Sequence, residues 1–96
     1  MRRFLLIDMD FILYESYSLK DKRRIKNILI DKLNNEYNIS IIESDNQDIW
    51  NIISVSIAYV GINEKSTRKI ESSIKNYTES IMEPYGILNQ YNFDII

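Results

Sequence analysis

The chain reads as an α+β domain with element order β-α-β-β-α-β, a four-stranded antiparallel sheet carrying two helices on one face. Three observations predict it. Residues 3–14 and 49–60 alternate with period two, and residues 18–37 and 63–82 repeat apolar side chains at helical spacing. Turn signals at Asn46-Gln47-Asp48 and at Pro84 and Gly86 separate the later elements.

In the first strand, Leu5, Ile7, Met9, Phe11 and Leu13 form a core face, while Phe4, Leu6, Asp8, Asp10, Ile12 and Tyr14 form a mixed one. Ser18 followed by Asp21 resembles a capping box, with Asp in place of the usual Glu, and opens a helix to about Tyr37. Its Ile25, Leu29, Ile30, Leu33 and Tyr37 share one side, and Lys20, Arg24, Asn27, Asp31 and Asn34 the other. Ile39 to Asp45 gives a second strand, and Ile49 to Val60 a third whose apolar alternate set is Ile53, Val55, Ile57 and Tyr59. Asn63 caps a second helix to about Met82, with Ile70, Ile74, Tyr77 and Ile81 inward and Lys69, Glu71, Lys75 and Glu79 toward water. A last strand runs through Tyr91, Phe93 and Ile95. This order is the split βαβ, ferredoxin-like arrangement. Ninety-six residues without linker or repeat make one domain, residues 1–96, with one core.

Composition excludes much chemistry. The chain has no cysteine and no histidine, so thiol nucleophiles, disulfides, the usual zinc sites and imidazole acid/base catalysis are absent. Arg2 and Arg3 precede an apolar stretch that imitates a signal peptide, but Asp8 and Asp10 interrupt it, which points to the cytoplasm. The net charge is −2, yet residues 18–27 hold five cations and one carboxylate.

That cluster, Ser18 to Lys26, occupies the first turns of a helix, where aligned peptides already place partial positive charge. Nearby acids or an anionic partner must offset it. At about 100° per residue, Lys22 falls in the apolar sector of the helix. Glu43 shares a strand face with Ile39 and Ile41. The topology lays the end of the second strand beside the start of this helix, so Lys22, Lys26, Glu43 and Asp45 are expected to form a structural ion-pair cluster at the core rim. Lys20, Arg23 and Arg24 lie outside the buried sector, either to meet phosphate or as a solvated helix face. On the uncovered sheet face, Phe4, Leu6, Ile12, Trp50, Ile52 and Ala58 are interface candidates for a sheet-to-sheet dimer.

The stretch Ser18-Leu19-Lys20-Asp21-Lys22-Arg23, with Asn38-Ile39-Ser40-Ile41-Ile42-Glu43, Asp45 and Gln47-Asp48-Ile49-Trp50 further on, resembles the YlxP-like family, a small bacterial family of unassigned function. The resemblance spans nearly the whole chain. It implies the ferredoxin-like fold and a gene neighbourhood of translation initiation and ribosome maturation, near ribosome-binding factor A. The pattern falls on Ser18, Leu19, Lys20, Lys22, Arg23, Glu43, Asp45, Gln47, Asp48 and Trp50. The chain departs from it at Ile52 and Ile53, and at Glu15-Ser16-Tyr17, which lacks the Pro and Gly often found there.

Three functional classes follow as expectations. The first is a non-catalytic RNA- or ribosome-associated protein, with Lys20, Arg23, Arg24, Arg2 and Arg3 on phosphates and Trp50 or Tyr14 stacking. The alternative is a homodimeric interaction or regulatory module using the open sheet. The third is an enzyme, for which Glu43, Asp45 and Asp48 could hold magnesium or act as an acid pair. Acylphosphatases share the fold, but their phosphate-binding loop is not visible, so no enzyme, cofactor or resident metal is expected.

Overall fold

A computed structural model describes residues 1–96. The chain folds as β1 (Arg3–Leu13), α1 (Leu19–Glu36), β2 (Ser40–Asp45), β3 (Ile52–Gly61), α2 (Glu64–Met82) and β4 (Gly86–Ile95). The strands lie in the order β2-β3-β1-β4 with every neighbouring pair antiparallel. This is the ferredoxin-like α+β architecture. No helix is long and apolar enough to cross a membrane.

Alternation in β1 sends Leu5, Ile7, Met9, Phe11 and Leu13 into one core, where they meet Ile53, Val55 and Ile57 of β3, Ile25, Leu29 and Leu33 of α1, and Ile74, Ile81 and Met82 of α2. Each such side chain contributes about 1.5–3 kcal/mol by leaving water. The helices start where their caps dictate. Ser18 Oγ accepts from Asp21 N at 3.1 Å, and Asn63 Oδ1 accepts from Ser66 N at 2.8 Å. Asp21 reaches back to the N–H of Tyr17 at 3.2 Å, one residue before the usual capping-box partner.

Two expectations change. The third strand begins at Ile52, not Ile49, and the connection from β2 runs from Asn46 to Asn51 instead of three residues. A bulge between Glu43 and Asp45 ends the regular β2–β3 ladder early, and the carbonyls beyond it turn to other partners. Glu71 does not face water: it is buried, and its carboxylate accepts from the Tyr91 hydroxyl of β4. Lys75 lies over the Tyr91 ring, 5.1 Å from its centroid, and pairs with Glu79 at 3.5 Å. Helical period alone counts Glu71 as an exposed residue because it cannot see that β4 offers it a donor.

Candidate functional site

Lys22 is the side chain around which the β2–β3 connection is built. It sits in the α1 sector shared by Ile25, Leu29 and Leu33, so its stem is packed in the core and only 2% of the residue is exposed. The ammonium donates to the carbonyls of Asn46 at 2.5 Å and Ile49 at 2.9 Å, with Gln47 O at 3.5 Å. Glu43 Oε2 lies 2.9 Å from the same nitrogen, and Lys26 Nζ stands 3.5 Å from Oε1. One carboxylate therefore contacts two cations and neutralises one of the two charges, while loop carbonyls complete the shell of the buried ammonium.

The rest of the loop follows from this anchor. Asn46 adopts a positive φ of 55°, a conformation that Asn tolerates, and its side-chain amide donates to Ser54 Oγ at 2.8 Å. Ser16, buried before α1, donates its hydroxyl to Trp50 O, and Leu13 N donates to Asn51 O at 2.8 Å. The carbonyls of Asn46, Gln47, Ile49, Trp50 and Asn51 are thus drawn inward by Lys22 of α1, by Ser16 before it and by Leu13 at the end of β1. What remains outside is an aromatic pair: Tyr17 and Trp50, 75% and 46% exposed, have ring centroids 6.4 Å apart and planes inclined by 30°.

The sequence-predicted residues are placed unevenly. Lys22, Lys26 and Glu43 come together as one cluster. Asp45 does not join it: its Oδ1 accepts from Asn46 N at 2.8 Å, because the bulge turns this residue onto its own following peptide. Trp50 lies in the turn before β3 and packs on Tyr17, so strand alternation does not assign it to the open sheet face. Lys20, Arg23 and Arg24 are exposed, and none has a carboxylate within 4 Å. Arg24 borders a depression with Tyr14, Glu15, Pro84 and Tyr85.

Arg2 and Arg3 are not part of this patch. They stand at the start of β1, roughly 30 Å of extended chain from its end beside α1. Arg3 faces Glu64 at the start of α2, 3.9 Å away. Glu43, Asp45 and Asp48 do not converge as a metal-binding set, and no group of three such ligands does so elsewhere. Sequence reasoning missed Ser16, Ser54 and Tyr17. The signal for Ser16 was weak: a small polar residue before a cap is common in loops, and here it is buried with its hydroxyl donating to Trp50 O.

On the open face, β1 presents Phe4, Leu6, Asp8, Asp10 and Ile12, and register sets Val60, Ala58, Ser56, Ser54 and Ile52 of β3 opposite them. Asp8 accepts from the Ser56 hydroxyl, and Ser44 Oγ lies 2.8 Å from Ser56 Oγ. The apolar groups form two clusters separated by this polar band.

Comparison with known proteins gives a family and no activity. Over 76 residues the chain is 30% identical to the uncharacterized protein YlxP of Bacillus subtilis (strain 168), covering 79% of this chain and 83% of that protein. A solved structure described as "Putative Chlorite dismutase TA0507" superposes with a TM-score of 0.58 at 18% identity, covering 99% of this chain and 44% of that one. At that identity the likeness is one of fold alone. A family model described as "Protein of unknown function (DUF503)" matches residues 4–89, and together with the resemblance to YlxP this makes the chain a member of that uncharacterised, YlxP-like family.

Proposed function

We propose that the protein is a non-catalytic cytoplasmic factor that binds structured RNA on the ribosome through the start of α1. The observation that carries the reading is a charge remainder. Of the five cations between Lys20 and Lys26, Glu43 takes up Lys22 and Lys26, while Lys20, Arg23 and Arg24 stay exposed with no carboxylate partner. Lys20 sits in the first turn of α1, where the helix dipole is positive and attracts anions, and Arg23 and Arg24 follow in the next turn. Arg24 and Arg23 suit paired contact with phosphate oxygens, and the Tyr17–Trp50 pair, with Tyr17 just before the cap of α1, gives a surface on which an unpaired base can stack.

A second copy docked on the open sheet is the alternative reading, supported by the exposed Phe4, Leu6, Ile12 and Ala58. It is weakened by Asp8 and Asp10, which a two-fold axis through the middle of that face, near the centre of β1, would bring close to their own counterparts. Cosedimentation with ribosomal subunits tests the RNA reading. Binding at low salt that disappears in an Arg23→Ala/Arg24→Ala variant supports it, and absence of binding to either subunit at low salt overturns it.

A further inference from the structure

The uncovered sheet face differs from the α1 surface in charge. Alternation and register place Phe4, Leu6, Asp8, Asp10 and Ile12 of β1 on it, with Ile52, Ser54, Ser56, Ala58 and Val60 of β3 alongside. The β4 partners of the same β1 residues are Asp94, Asn92, Gln90 and Ile87, and β2 adds Ser40, Ile42 and Asp45. None of these is Lys or Arg. Between β1 and β2 the face is hollowed over β3 into a groove of about 280 Å³, walled by Leu6, Ile42 and Ala58 and edged by Ser40, Ser56 and Asp8. Ser56 occupies one oxygen of Asp8, leaving Oδ2 without a protein partner.

An apolar channel with a carboxylate at its edge matches the lysine or arginine side chain, which buries its methylene stem along apolar surface and keeps its charged head on an acceptor. We propose that this face binds a basic, partly apolar segment of another protein, with one cationic side chain lying along the groove onto Asp8 and a following one reaching Asp10, further along the same face of β1. Charge complementarity favours this occupant. RNA is repelled by the aspartates, and a second copy of the chain would oppose carboxylate to carboxylate. The site is independent of the α1 surface and would leave RNA free to bind there at the same time.

The test uses a fluorescein-labelled heptapeptide alternating lysine and leucine, followed by fluorescence anisotropy and by chemical-shift mapping of the isotopically labelled protein. Two control peptides replace lysine by glutamate or leucine by serine. Saturable binding of the first peptide alone is expected, with shifts at Leu6, Ile42 and Ala58 and at least a tenfold loss of affinity in Asp8→Asn/Asp10→Asn. An Asp31→Asn/Glu36→Gln variant, altered on α1 by the same charge, should bind as the wild type does. Circular dichroism verifies that each variant is folded. Equal losses in both variants would make the attraction merely one of net charge and overturn the proposal. So would absence of saturable binding, shifts mapping elsewhere, or a dimer in sedimentation equilibrium that protects this face from hydrogen exchange.

Discussion

Replacing Lys22 by Met keeps the stem that packs among Ile25, Leu29 and Leu33 but removes the ammonium. Losing one partner of a buried ion pair costs about 3–5 kcal/mol when nothing else compensates the other charge. Here the cost is smaller, because Glu43 retains Lys26 at 3.5 Å and its side chain is 14% exposed. To this is added the loss of a donor for Asn46 O and Ile49 O, at about 1–3 kcal/mol for each buried acceptor that water does not reach. Together these give a destabilisation of about 4 kcal/mol, or a fall in Tm of roughly 15–30 °C for a domain of this size. Urea unfolding followed by circular dichroism measures it, and Trp50, the only tryptophan, reports on the loop by its fluorescence. The double variant Lys22→Met/Glu43→Met separates the two causes. It removes the half-buried carboxylate that Lys26 alone would otherwise compensate but leaves the loop carbonyls without their donor, so it should recover part of the loss and remain about 2 kcal/mol below wild type. A Lys22→Met variant within 1 kcal/mol of wild type would refute the assignment of Lys22 as the anchor of this loop. Full recovery in the double variant would refute the weight given to the carbonyls.

Gly86→Ala should cost about 2–3 kcal/mol in the same assay, since its Cβ would come within 2.4 Å of Ile12 O on the neighbouring strand, where neither backbone can withdraw without breaking the β1–β4 ladder. Ser18→Ala should cost about 1 kcal/mol by removing the acceptor for Asp21 N, and Ser18→Asp should restore most of it. Burial above all, then the hydrogen bond to Glu71 and the charges of Glu71 and Glu79, hold the Tyr91 hydroxyl proton well above the ordinary tyrosine range. Because the folded-state value is the raised one, this contribution is intact below the unfolded-state pKa of about 10 and is lost as pH rises beyond it. Unfolding free energy should therefore fall above about pH 10, and Tyr91→Phe should make that fall shallower. An unchanged slope would contradict the role given to Tyr91.

The fold was readable because its pattern is regular where packing is strongest. Leu5 to Leu13 alternates without a break, and Ile25, Leu29 and Leu33 keep helical spacing, so period decides both elements and Ser18 and Asn63 mark where the helices begin. Lys22 and Glu43 were also legible, since each is a charged residue at a position whose neighbours are core. The loop from Asn46 to Asn51 was not, because its shape depends on which side chains seize its carbonyls, and those lie 24 or more residues away in sequence. Ile49 continues an apolar alternation into β3 and so extends the apparent strand, yet its carbonyl belongs to Lys22. Arg2 and Arg3 look close to the α1 cations only while the length of β1 is ignored. The burial of Glu71 depends on one hydroxyl of β4, a contact that no local pattern encodes.

The most direct test of the RNA-binding account is the salt dependence of binding to ribosomal RNA, measured for the wild type and for Arg23→Ala/Arg24→Ala. Three phosphate contacts from Lys20, Arg23 and Arg24 predict that log K falls against log salt with a slope of roughly −2 to −3, and that the variant, with one contact left, shows a slope of about −1. A wild-type affinity indifferent to salt, or a variant with the same slope as the wild type, would contradict the placement of the RNA on the start of α1.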